Sequence, residues 1–484
     1  MNDTTKVRRP ATNPEGVTGR LATWLQNLRL EDVPLSVQQR AKHIMLDGIA
    51  CAIVGAQLPW SRRAVEIVAG LEGRGACGII GWDRTTTAPA AALLNGTFIQ
   101  GFELDDYHPR APLHSASLVL PVLFACADQT PGLDGKQALL AIIAGFEVGP
   151  RVGLALHGGE MLSRGWHSGS VFGTHAAAAT AGVMLGLDAA GFEDALGLAA
   201  TQSAGLMAAQ FEAMSKRMHH GFSARNGLYA AYLAAGRYTG IKRVFEREYG
   251  GFLSTFGEGH APDATQIAAG LGMHWETERI VIKPYAAMGG LHAPLDALFE
   301  INNERALRAQ EIKCIDVYVS HAVYHHGWWQ LERPVTPIAA QMNLGYALAV
   351  AVLDGEALVQ QFAPQRINQD DVWSLIPRIT AHHDPEFDRA GPLARGKTRL
   401  RVEFIDGQVL EAERQASRAI LQPMSSAEIV AKYRHLTRGL IDSERQAEIE
   451  RIVLSLDELA DVGKLAALLH PRVEGVFEQD DGPA

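Results

Sequence analysis

Between Val17 and about Gly257 the chain is mostly helical text written in small residues, and this constrains the fold more than any other feature. The segments TAPAAALLNGTFIQGF, KQALLAIIAGFEVGPRVGLAL and SVFGTHAAAATAGVMLGL are dense in Ala, Gly and Leu. Small side chains let helix backbones approach closely, and the run lengths fit buried helices better than strands. LATWLQNLRL carries apolar residues at helical spacing, and Pro34-Leu-Ser opens a further helix through Ile44 and Ile49. The apolar runs are interrupted and fall short of the roughly 18 residues a membrane helix needs.

The texture changes near Ala261. ERIVIKPYA, IKCIDVYVS and TRLRVEFIDGQVLEAERQ show β-branched alternation, and the last holds an Asp-Gly turn between two strand-like runs. After Pro423 the chain returns to helix with SSAEIVAKYRHL and ERQAEIERIVLSL. The expected class is mainly α. A large all-α helical domain is built from both chain ends, residues 1–264 and 416–484, with a smaller α+β domain, residues 265–415, inserted between them. Residues 1–16 and the acidic EQDDGPA end read as loose tails.

Charge and cysteine usage narrow the function. There are 44 Lys+Arg against 54 Asp+Glu, a net charge of −10 with no long basic run. That excludes nucleic acid and anionic membrane surfaces as expected partners. Cys51, Cys77, Cys126 and Cys314 lie far apart with no Cys-x-x-Cys pair, which fits a reducing compartment. The opening MNDTTKVRRPATNPEG lacks an apolar signal core. The expectation is a soluble, cytoplasmic protein.

Five segments carry groups capable of chemistry. Glu103-Leu-Asp105-Asp106-Tyr107-His108, followed by Pro-Arg110-Ala-Pro-Leu-His114, packs carboxylates, imidazoles and a guanidinium into a loop that Pro109 and Pro112 keep from being helical. Arg164-Gly-Trp-His167-Ser-Gly169 brackets a histidine with glycines. Ser215-Lys216-Arg217-Met-His219-His220 gathers four cationic or titratable side chains. Lys283 ends an apolar run before Pro-Tyr and Met288-Gly-Gly. Tyr324-His325-His326 is the fifth. Other matches fail by context. Gly391–Thr398 has P-loop spelling without the flanking strand and helix, and Gly73–Gly78 reverses the dinucleotide-binding order. His321 and His325 lack an evident third ligand, so no metal is expected.

Taken together these segments resemble the MmgE/PrpD superfamily, which includes 2-methylcitrate dehydratase, iminodisuccinate epimerase and cis-aconitate decarboxylase. Within it the chain is most similar to the fungal type of cis-aconitate decarboxylase. LDGIACAIVGAQLPWS, ELDDYHPRAPLHSASLVLP, GFEVGPR, GWHSGSVFG, KRMHHGFSARNGL, EREYGGFL and ERPVTPIAAQM carry the resemblance in order along nearly the whole chain. It implies that the inserted α+β domain is a lid, that the active site between the domains needs no cofactor, and that the protein is a homodimer. Carried over by motif, it implies functional roles for Glu103, Asp105, Asp106, His114, His167, Lys216 and Lys283, with Tyr324 near a functional tyrosine. Many relatives have Asp at the position of Glu103, and some decarboxylases have His at that of Met288.

The implied reaction takes cis-aconitate, a small tricarboxylate, to itaconate and CO2. Lys216 and Lys283 would hold carboxylates and developing charge. His114 would donate the proton and His167 bind a carboxylate. Asp105 or Asp106 would keep a neighbouring imidazole protonated. Tyr107, Arg110, Arg217, His219 and Tyr324 would complete substrate binding. The alternatives are a 2-methylcitrate dehydratase-like hydro-lyase, a dicarboxylate epimerase, and a catalytically silent scaffold.

Overall fold

The computed structural model describes residues 8–389 and 396–477. Its first half is carried by α1 (Val17–Asn27), α2 (Leu35–Ala56), α3 (Pro59–Glu72), α4 (Ala88–Ile99), α5 (Ala116–Ala127), α6 (Gly135–Ala155), α7 (Gly158–Ser163), α8 (Ser168–Met184), α9 (Ala189–Ala200) and α10 (Ser215–Ala235). The small-residue segments form α4, α6 and α8 as expected. α8 packs against both α6 and α10, and α4 packs against α10. The last contact is backbone to backbone. A Cβ added at Gly221 would stand 2.2 Å from the Leu93 carbonyl oxygen, so only glycine lets the start of α10 sit this close to α4.

Two expectations about the first half are corrected. α6 is long and apolar enough to cross a membrane by length and composition, at 21 residues and a mean hydropathy of 1.6. It is a core helix, with 94% of that stretch buried inside the fold. Its buried Glu147 and Arg151 are neighbours one turn apart, and they tie it to the Thr277 hydroxyl and the His274 carbonyl. The start of the chain is not loose throughout. Residues 1–7 and the EQDDGPA end lie outside the described residues, but Arg9 pairs with Asp188 at 2.8 Å, Ala11 is buried, and the Thr12 amide donates to Glu193.

A four-stranded sheet has the order β4-β3-β5-β6, built from β3 (Ile312–Val319), β4 (Ile379–His383), β5 (Thr398–Phe404) and β6 (Val409–Arg414). β3 and β4 are parallel; β5 pairs antiparallel with β3 and β6. The Asp406-Gly407 turn joins β5 to β6, with Gly407 at φ 87°. A short hairpin, β1 (Cys77–Ile79) with β2 (Arg84–Thr86), begins at the end of the Gly73–Gly78 segment. The Gly391–Thr398 match falls largely outside the described residues.

ERIVIKPYA, expected as a strand, is not one. Glu276–Arg279 is a 3-10 turn, and Val281 makes a single antiparallel bridge to Tyr107. β-branched residues favour any extended, half-buried backbone, and here the partner is one residue of a loop rather than a strand. That bridge attaches the Lys283 segment to the loop carrying Glu103.

The helices after Pro423, Ser426–Thr437 and Ser443–Leu454, both pack on α2. Ser425 and Glu428 form a capping box at the start of the first. Lys432 pairs with Asp47 across this contact, and Lys42 of α2 pairs with Asp457 in the turn just after the second helix.

Candidate functional site

A 3-10 turn, Gln100–Phe102, continues α4 and delivers the chain to Glu103. Glu103 adopts the left-handed conformation at φ 55° and ψ 27°, uncommon for a residue with a Cβ. Such strain persists only where surrounding contacts hold it. Here three cations do so. Lys283 Nζ donates to Glu103 Oε2 at 2.9 Å and to the Glu103 carbonyl at 3.3 Å. Lys216 Nζ donates to Oε1, and Arg217 Nη1 lies 3.5 Å from the same oxygen. All four side chains are buried. Burial pushes the Glu103 carboxyl up, but Lys216, Lys283, His114 and Arg217 outweigh it and hold the group well below the usual carboxylate range. Burial lowers Lys216 against the pull of Glu103, and it lowers Arg217 to about 10.

Lys216 and Arg217 stand in the first turn of α10, which contains no acidic residue. The positive end of the helix dipole therefore adds to their charge, and Glu103, from another element, offsets only part of it. Arg217 is further fixed by Gln341 and lies 5.6 Å from the centre of the Trp60 ring. Gln341 in turn donates to the carbonyls of Phe102 and Ala286, next to Glu103 and the Lys283 segment.

Asp105 and Asp106 point to different tasks. Asp105 Oδ1 meets His114 Nδ1 at 3.1 Å, which fixes the ring and leaves its Nε2 free of that contact. Asp106 accepts the amides of Ser115 at 2.7 Å and Ala116 at 2.9 Å, capping α5. Burial, with Asp105 adding to it, pushes Asp106 up to about 8.

Three imidazoles, His167, His219 and His220, form the second half of the cluster beside His114. His220 lies 5.1 Å, ring centre to ring centre, from both His114 and His167, and His167 lies 4.6 Å from His219. His220 shares a hydrogen bond with Ser117 at 2.9 Å. His167 caps the start of α8 by its backbone, its amide donating to Gly205. Gly169 is required here, because a Cβ would come within 2.8 Å of His220 Nε2 and 3.1 Å of the Pro112 carbonyl. His167 Nδ1, His219 Nδ1 and His220 Nε2 are buried with no hydrogen-bond partner, so a neighbour is needed to satisfy them. Burial holds these rings neutral. His219 is lowered to about 4, and His167 and His220 fall well below the ordinary value, with His219 helping to lower the first and His114 the second. A cavity of about 570 Å³, lined by Ser170, Gly205, Ser215 and His219 among others, opens beside this group.

The structure thus brings together Glu103, Asp105, His114, His167, Lys216, Arg217, His219 and Lys283. It separates others. Arg110 is exposed and makes no ion pair or hydrogen bond to this group among the described residues. Tyr324 lies in the short helix His321–Gly327, nearest in ring contact to His383 at 6.5 Å, and it does not touch the cluster. Tyr107 is bridged to Val281 by its backbone, with its ring against His292 rather than the cations. Met288 holds the Gln341 carbonyl through its amide. Gln341 was not singled out from sequence, and His220 was named within its segment but assigned no role in the site. His220 was findable, since it stands one helical turn beyond Lys216 on the same face of α10.

The MmgE/PrpD N-terminal domain matches residues 19–265 and the MmgE/PrpD C-terminal domain matches residues 285–458. The chain belongs to the MmgE/PrpD family. Among its relatives, the cis-aconitate decarboxylase-like protein oryM of Aspergillus oryzae is 45% identical, over 95% of this chain and 98% of that protein. The cis-aconitate decarboxylase of Aspergillus terreus is 42% identical, over 96% and 98%. The human cis-aconitate decarboxylase is 26% identical, over 94% and 95%.

Proposed function

We propose that the protein is a carboxy-lyase that converts cis-aconitate to itaconate and CO2. One observation carries the reading: buried Lys216, Lys283 and Arg217 converge beside an Asp105–His114 pair, in a chain 42% identical to a fungal cis-aconitate decarboxylase. Three cations outnumber the buried carboxylates of Glu103 and Asp105 beside them, which suits a polyanion.

The substrate is a trianion. Breaking the bond to its methylene carboxylate releases CO2 and leaves an electron pair conjugated with another carboxylate. A proton added at the far end of that system gives itaconate. Lys216 and Lys283 are assigned to the substrate carboxylates and the developing charge, because a preorganised cation in a low-dielectric site acts without reorganisation. His114, steadied through Nδ1 by Asp105, is assigned the proton delivery from Nε2. His167, with an unpartnered buried nitrogen, is assigned a substrate carboxylate. The conjugated acid is its own electron sink, so the reading requires no cofactor.

We also infer a homodimer, supported by an apolar face of α10 that stays exposed at Phe222, Tyr229, Tyr232 and Leu233. The reading keeps residues 265–415 as a lid over a helical domain made of 1–264 and 416–484, supported by the packing of the C-terminal helices on α2. A cytoplasmic location rests on the sequence.

Incubation of the purified protein with cis-aconitate, 2-methylcitrate and a chiral dicarboxylate, with products read by NMR, tests the function. Itaconate from the first is the expected result. Dehydration of the second without itaconate would replace the reading by the hydro-lyase.

A further inference from the structure

The turn that carries the site is held from behind by a residue far along the chain. Lys432 belongs to the helix Ser426–Thr437, yet its ammonium is buried and donates to the Leu104 carbonyl at 2.9 Å. It also pairs with Asp47 of α2 at 2.5 Å, the two side chains being 7% and 1% exposed. Leu104 sits between Glu103, which faces the cations, and Asp105, which faces His114. Lys283 holds the Glu103 carbonyl, so two consecutive carbonyls of this turn are each held by a buried ammonium. Two opposed side chains thus depend on one strained stretch of backbone.

We propose that Lys432 is a positioning residue of the active site, fixing through the Leu104 carbonyl and Asp47 the turn that presents Glu103 to its cations and Asp105 to His114. A buried lysine is costly unless paired and hydrogen-bonded, and Lys432 has both partners. Burial pushes its ammonium down, but Asp47, foremost among its neighbours, lifts it above the ordinary value, so it stays charged. Lys432 touches neither Glu103 nor His114, so it acts through the backbone. Reacting groups displaced by about 1 Å can lose on the order of 100-fold in rate, which sets the scale of its effect.

The inference rests on the proposed decarboxylase reading, and its test separates the two. In Lys432→Met, kcat for itaconate formation is expected to fall on the order of 30- to 100-fold, with KM within about threefold. In the double variant Lys432→Met/Asp47→Asn the buried carboxylate is no longer left alone. Its melting temperature is expected to recover while kcat stays low. A kcat for Lys432→Met within twofold of the unchanged protein, or a double variant that regains both stability and kcat, would overturn the proposal. If Lys432→Met does not fold, the double variant alone is read by the same criteria. If the unchanged protein makes no itaconate, the functional reading fails, and the positioning role is read instead from the ring signals of isotope-labelled histidines. His114 is then expected to shift in the double variant while His382, on β4, does not; an unmoved His114 signal overturns it.

Discussion

The two halves of the site solve opposite problems. On one side, Glu103, Lys216, Arg217 and Lys283 are charged and bound to one another. On the other, His167, His219 and His220 are held neutral by burial, each with a nitrogen that has no partner. Charges cannot be buried without counter-charges, so the cation side must be assembled as a unit, with Glu103 as its internal anion. Neutral imidazoles cost less to leave incomplete, so that side can hold open contacts for a ligand. Asp105–His114 lies at the seam: His114 is steadied by a carboxylate like the first group, and its ring neighbours His220 of the second.

The largest effect should come from breaking the cation side. Lys283→Ala removes a cation from the site and leaves Glu103 with less compensation. A loss on the order of 1000-fold in kcat/KM is expected, together with about 3–5 kcal/mol of stability. Steady-state kinetics and a denaturation curve measure both. An unchanged kcat/KM would show that the cation side is structural, and the comparison would collapse into a single active half.

The seam should be next. His114→Gln keeps a polar side chain but delivers no proton, so kcat should fall on the order of 100-fold or more with the fold intact. Circular dichroism confirms the fold. Full turnover would move proton delivery to another group of the cluster.

These residues show how much was legible in the sequence. The helical half was readable because small residues at helical spacing announce buried helices directly, as in α4, α6 and α8. The cations and histidines were readable as types clustered beside glycine. Their pairing was not. Nothing local says that Glu103 would be the anion that gathers Lys216 and Lys283, at separations of 113 and 180 residues. Nothing local marks Lys432 as buried, since its burial depends on Asp47 and Leu104 from far earlier in the chain. The exposure of Arg110 was equally unreadable, because charge in a motif does not say which side chain faces solvent.

The imidazole side, with two buried histidines outside it, makes a stability prediction. His219 is lowered to about 4 and His167 and His220 well below the ordinary value, while His175, packed on Phe245 and Phe252, and His292, packed on Tyr285, fall to about 3, with burial the leading cause for each. The unfolded chain binds protons at these sites from about pH 6.5 downward, and the folded chain does not. Their contribution to stability is therefore complete above that value and is lost as pH falls from 6.5 toward 4. Each such histidine adds roughly 1.4 kcal/mol per pH unit within its window. Asp106 acts in the opposite direction: raised to about 8, it favours the folded state less as pH rises from about 4 to 8. Denaturant melts across pH 4–8 should show a steep acid limb. Asp106→Asn should flatten the slope toward pH 8, and a flat acid limb would mean that the rings are hydrated and charged in the folded state.

The smallest effect should come from Arg110, the cation that the sequence placed in the cleft and the structure leaves exposed. Arg110→Ala removes no buried pair and exposes no unsatisfied group, so kcat/KM should stay within about twofold and the melting temperature should hardly move. The comparison makes this a sharp control, because Lys283→Ala and Arg110→Ala delete the same formal charge from the same protein. If net charge alone drew the substrate in, the two variants would lose binding to a similar degree, with a strong dependence on salt. If burial and convergence on Glu103 give the charge its strength, only Lys283→Ala should be impaired. A loss of more than tenfold in Arg110→Ala would place that guanidinium on the substrate, and the cation side would then have to include a loop that closes over it.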